Sequence, residues 1–86
     1  MVLEKNEIEP YWTEKAKSNL VGRTIVDVRY MTQKEKRDMY WCDRPVVLIL
    51  DDGSEIYPSQ DDEGNGAGAL FGTNGKGEDI LLPVIR

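Results

Sequence analysis

The stretch Ser59-Gln60-Asp61-Asp62-Glu63-Gly64-Asn65-Gly66 gathers the side chains of this chain best suited to do chemistry. Asp61, Glu63 and Asn65 fall at every second position and are followed by Gly66. A calcium loop opens in this way, with alternating oxygen donors and a glycine that lets the backbone bend round the ion. A full EF-hand also needs a bidentate carboxylate eleven residues after the first ligand, and that position is Gly72. A simpler divalent-cation loop on Asp61, Glu63 and Asn65, helped by Asp62, is one reading of the segment. The other is a tight loop whose carboxylates accept hydrogen bonds from their own backbone, the usual work of Asp and Asn in turns. The two differ in whether the oxygens converge on one point or turn back on the chain.

Paired carboxylates also act as general acid and base in glycoside and phosphoryl chemistry. Two features stand against catalysis. The 86 residues include no histidine, which removes Ser/His/Asp triads, Cys/His pairs and histidine-ligated zinc. A monomer of this size also has little volume for a pocket of ~300 Å³, the lower end of the range for ligand sites. The chain therefore reads as a non-enzymatic protein that calls for no cofactor. Its single cysteine, Cys42, excludes a disulfide scaffold. With neither a helix terminus nor a base in view to activate it, Cys42 reads as a half-buried small hydrophobe in a reducing cytoplasm.

The aromatic residues are the other group of interest. Trp12, Tyr40 and Trp41, with Tyr11, Tyr30 and Tyr57, exceed what a thin core can hide. They are candidates for a contact surface with another protein or a second copy. The competing reading makes most of them the core itself. Nucleic acid is a disfavoured partner. The net charge is −5, and cutting the chain before Pro45 leaves a first half near neutrality and a strongly acidic second half. A negative field opposes phosphates. The route left open is a small barrel that gathers Arg23, Arg29, Lys34, Lys36, Arg37 and Arg44 on one face. The amino terminus lacks a basic segment followed by an apolar one, and the apolar runs fall far short of the ~20 residues a spanning helix needs. The expectation is a cytoplasmic protein without a membrane segment.

These side chains must be held by a small number of elements. Length sets the expectation of one domain, residues 1–86, with about 5,200 Å² exposed once folded. Ile8, Trp12, Ala16 and Leu20 recur every four residues, with Pro10 suited to a first turn and Gly22 to a stop. This predicts a helix over 9–20 whose apolar stripe faces the core. The period then changes to two: Val26, Val28 and Tyr30 on one side, Asp27 and Arg29 on the other, a half-buried strand with its valines inward. Thr32 followed by Glu35 has the form of a capping box that opens a short helical turn. Val46 to Leu50 is an unbroken aliphatic run, a central strand buried on both faces. Asp52-Gly53 turns it back through Glu55, Ile56 and Tyr57, and Pro58 ends the return. Residues 59–69 form a loop with Leu70 and Phe71 as its apolar foothold. Asn74-Gly75-Lys76-Gly77 is a second turn, leading to a last strand that Pro83 interrupts. The fold class is α+β: an N-terminal helix packed on a small antiparallel sheet, or curled barrel, of four to five strands.

Several of these segments together resemble a group of small bacterial proteins of unknown function. The likeness runs over residues 20–72, through Leu20-Val21-Gly22-Arg23-Thr24-Ile25, Trp41 with Arg44-Pro45, and Leu50-Asp51-Asp52-Gly53. It continues in Tyr57-Pro58, Asp61-Asp62-Glu63-Gly64-Asn65 and Gly68-Ala69-Leu70-Phe71. The resemblance implies a shared fold and carries no activity with it. The functional expectation is a small interaction module, protein-binding or self-associating, with a weak cation loop and a small-barrel nucleic-acid binder as the alternatives.

Overall fold

The computed structural model describes residues 4–86 and has α+β architecture, with one long helix, one short helix and five strands. Helix α1 spans Lys5–Leu20, strand β1 Ile25–Tyr30, helix α2 Gln33–Asp38, β2 Val46–Leu50, β3 Glu55–Ile56, β4 Leu70–Thr73 and β5 Asp79–Leu82. The strands form two antiparallel units instead of one four-to-five-stranded sheet or a closed barrel: a three-stranded sheet in the order β1-β2-β3 and a separate β4-β5 ribbon. β3 is only two residues long, so Tyr57 lies beyond the strand expected to hold it.

Both hairpins turn in the same way. Gly53 N–H donates to Leu50 O at 2.9 Å and Leu50 N–H to Ser54 O at 2.9 Å; Gly77 N–H donates to Asn74 O at 3.0 Å and Asn74 N–H to Glu78 O at 2.8 Å. In each, a four-residue turn is followed by a glycine in the left-handed region, at φ 87° for Gly53 and 80° for Gly77. This is a three-residue loop closed by a glycine bulge. The reversal beside Asp52-Gly53 is therefore centred one residue earlier than a two-residue turn would place it, because only Gly53 takes a positive φ.

The register decides which face of the sheet is covered. Val28 sits opposite Leu48 and Leu48 opposite Ile56, while Arg29 sits opposite Val47 and Ile49 opposite Glu55. Residues directly opposite share a face, so Val47 and Ile49 point to the side that carries Arg29. That side holds the core of Met31, Trp41 and Val47, against which Met39, Ile49 and Ala67 pack. A break in register between Ile25 and Asp27 leaves both Ile25 and Val26 on the other side with Val28, Leu48 and Ile56. The expected sidedness of β1 is thus reversed: Val26 is 59% and Val28 51% exposed. Arg29 can lie on the covered side because carboxylates meet it there.

The helix departs from expectation in its packing. It begins four residues earlier than the predicted 9–20 and runs through Pro10, and no residue of α1 is buried. Ile8, Trp12 and Leu20 stay largely exposed, and no strand packs broadly against α1. The surface totals 6763 Å², some 1,600 Å² more than the roughly 5,200 Å² of a compact monomer of this mass. The radius of gyration is 14.9 Å, against about 12 Å for a compact chain of this length.

Candidate interaction surface

The acidic loop is built from its own bonds. Asp61 Oδ1 accepts from the backbone N–H of Glu63 and of Asn65, both at 3.1 Å, and Asp61 Oδ2 accepts from Asn65 Nδ2 at 2.9 Å. Asn65 Nδ2 also donates to Glu63 Oε2 at 3.3 Å. The Asn65 side-chain amide, then the backbone N–H groups of Asn65 and Glu63, hold the Asp61 carboxyl below the usual carboxylate range. The structure therefore brings Asp61, Glu63 and Asn65 together, with Asp61 turned to its own backbone. Among the described residues no group of three His, Cys, Asp or Glu side chains is placed to hold a metal ion.

The base of this loop is closed by bonds between its two ends. Gln60 N–H donates to Gly66 O at 2.9 Å and Gly68 N–H to Pro58 O at 3.0 Å, and Ser59 bridges Ala67. A side chain on Gly68 would come within 2.9 Å of the Ser59 carbonyl, so only glycine permits this approach. Trp41 supplies the remaining link: its Nε1–H donates to Gly64 O at 2.7 Å, and its ring meets Tyr57 edge-on at 5.9 Å between centroids. Trp41 is 5% exposed and belongs to the core, away from the contact surface on which it was expected.

Trp12 and Tyr40 do lie at the surface. Tyr40 is 93% exposed and takes φ 59°, in the left-handed region. It closes α2: Tyr40 N–H donates to Arg37 O at 3.1 Å and Trp41 N–H to Lys36 O at 3.0 Å. This is the Schellman pattern, in which the left-handed position ordinarily holds glycine. A tyrosine there costs about 1–2 kcal/mol of backbone strain. At the start of α2 the predicted capping box is present, with Thr32 Oγ1 accepting from Glu35 N–H at 3.1 Å and Glu35 Oε1 from Thr32 N–H at 2.8 Å.

Trp12 lies on α1 beside Tyr11, their rings edge-to-face at 5.0 Å with Lys15 Nζ about 6 Å from both. The groove lined by Pro10, Tyr11, Glu14, Lys15 and Ser18 lies on the helix alone. Trp12 is 56% exposed, and with Ile8 and Leu20 it leaves one apolar stripe without a cover. The sheet face is open along β1 and β3, where Ile25, Val26, Val28 and Ile56 are 36–59% exposed, while Val46 and Leu50 on the same face of β2 are buried at 2% and 5%. Sequence reasoning missed this face because it assigned the valines of β1 to the core; the missing signal was Met31, which continues the Asp27-Arg29 row inward.

The basic residues considered for nucleic acid are largely committed elsewhere. Arg29 forks onto Glu35 at 2.8 and 3.0 Å and reaches Glu55 at 3.5 Å, while Lys34 meets Asp38 at 2.9 Å. Arg23 faces Asp51 and Asp52, and Arg44 donates to the carbonyls of Met31 and Arg86. Cys42 is exposed, not half-buried, because it follows the turn that buries Trp41. Among the described residues no helix is long and apolar enough to cross a membrane. No protein-family profile, no curated protein and no solved structure matches this chain.

Proposed function

We propose that this protein is a non-catalytic interaction module whose contact surface is made by the apolar stripe of α1 and the open aliphatic face of the β1-β2-β3 sheet. One observation carries the reading. A helix with one apolar row, Ile8, Trp12 and Leu20, and a sheet with Ile25, Val26 and Val28 on one face leave these side chains in water on either side of a short connection. Exposed apolar patches mark protein contacts, and tryptophan is among the residues enriched as anchors of such contacts. The pairing of Arg23, Arg29 and Lys34 with carboxylates supports a protein partner over a phosphate backbone.

The test is substitution on both faces. Trp12→Glu and Val28→Glu lie outside the core cluster and should each abolish association, with the circular dichroism of the sheet unchanged. Association is read as self-association by sedimentation and as binding of a purified partner by calorimetry. If neither substitution alters any association of the chain, this surface is not its contact surface.

A further inference from the structure

We propose that the occupant is a second copy of this chain, in a two-fold dimer that exchanges α1. Each helix lays Ile8, Trp12, Ala16 and Leu20 across the exposed Ile25, Val26, Val28 and Ile56 of its partner's sheet. This assignment rests on the contact surface proposed above and adds what covers it.

The area fits a dimer. Each chain exposes about 1,600 Å² beyond the compact-monomer value. Part of that excess lies on the β4-β5 ribbon, where Phe71 is 75% and Leu81 58% exposed; hiding about half of it on each copy buries about 1,600 Å², the standard size of a specific interface. The two surfaces also match in length. Ile8 to Leu20 spans ~18 Å along the helix axis, and β1 spans ~17 Å from end to end. Both are aliphatic or aromatic, so neither buries a charge against the other.

The connection between α1 and β1 directs the helix outward. Val21 leaves the helix extended at ψ 132°, and Gly22 turns the chain at φ 79°. Arg23 N–H holds Leu20 O at 3.2 Å, and its guanidinium lies 3.4 Å from Asp52 and 4.0 Å from Asp51. Asp51 N–H fixes Thr24 O at 2.9 Å. Laying α1 back on its own sheet requires reopening the Val21-Gly22 turn and the Leu20–Arg23 bond that closes it, whereas a second copy presents the same face without disturbing either. Short, constrained hinges favour such exchange. Two-fold symmetry then covers both open faces with both helices and leaves neither stripe over.

The test uses the full chain with Cys42→Ser, so that no native thiol interferes. One preparation carries Ala16→Cys on the helix and a second Val28→Cys on the sheet; Ile56→Cys replaces the latter if Val28→Cys fails to fold. The two are mixed, refolded together and oxidised. The expected result is a covalent heterodimer of twice the chain mass, and a wild-type chain that sediments as a dimer. Trp12→Glu should raise the dimer dissociation constant by at least about 30-fold, the effect of losing a central aromatic anchor. A wild-type chain that stays monomeric at high micromolar concentration overturns the dimer. So does a disulfide that closes within one chain carrying both cysteines at high dilution. If the chain is monomeric but Trp12→Glu still abolishes binding of another purified protein, the dimer fails and the contact surface stands. If neither Trp12→Glu nor Val28→Glu changes any association, both fail.

Discussion

Glu35 is where a single side chain holds most together. One carboxylate caps α2 through the Thr32 N–H and forks onto Arg29, joining the short helix to the far end of β1. Its hydrogen bonds from Arg29, and then from the Thr32 backbone, lower its pKa from an ordinary 4.5 to about 2. Because the folded value lies below the unfolded one, the stabilisation is fully present above about pH 4.5 and is lost as the pH falls through about 2. The pair is partly solvated, at 32% and 39% side-chain exposure, so its worth is nearer that of a surface bridge, about 1 kcal/mol or less. Glu35→Gln keeps an oxygen for the cap and discards the charge. Thermal melts of the two proteins should therefore differ at pH 6 and converge as the pH approaches 2. A constant difference across that range would mean that the cap matters and the ion pair does not.

At the scale of elements, the acidic loop depends on a residue far away in sequence. Trp41 reaches Gly64 across 23 positions, and this bond joins the loop to the core from above, while Ser59-Ala67 and Pro58-Gly68 close it from below. Trp41→Phe keeps an aromatic ring but removes the donor, leaving the Gly64 carbonyl to water. Amide exchange should quicken through residues 60–66, with β1 and β2 protected as before, at a cost of about 1 kcal/mol for the bond. Equal loss of protection in the sheet would show that the ring, not the bond, organises the loop. The same contrast separates what could be read from the sequence from what could not. Signals confined to a few neighbours were legible: the Thr32-Glu35 box, the glycines of both turns, the aliphatic run of β2, and the stop before Pro83. Features set by distant pairing were not. Nothing near Val26 announces that β1 turns its valines away from Trp41, since that depends on Met31 and on a register break against Leu50. The choice of Asp61 between a ligand and its own backbone was likewise open until the loop geometry was known. Trp41 and Trp12 look equivalent as letters, yet one is core and the other surface because only Trp41 follows a Schellman stop that swings it inward.

For the molecule as a whole, charge and apolar surface act against each other. Each chain carries −5, and α1 contributes nothing to it, with Lys5, Lys15 and Lys17 balanced by Glu7, Glu9 and Glu14. Docking a neutral helix on an uncharged sheet face therefore brings two acidic bodies together without ionic contacts to compensate. Two such charges about 25 Å apart repel by roughly 4 kcal/mol in water without salt. Screening leaves about 2 kcal/mol at 0.01 M ionic strength and a few tenths at 0.1 M. Self-association should accordingly tighten by about tenfold between those two concentrations, followed by sedimentation or by the emission of Trp12 as it leaves water. Binding to a nucleic acid through Arg23, Arg29 and their neighbours would move in the opposite direction, because added salt competes with released counterions. Self-association that weakened with salt would place ionic contacts, not the valine face of β1, at the centre of the interface.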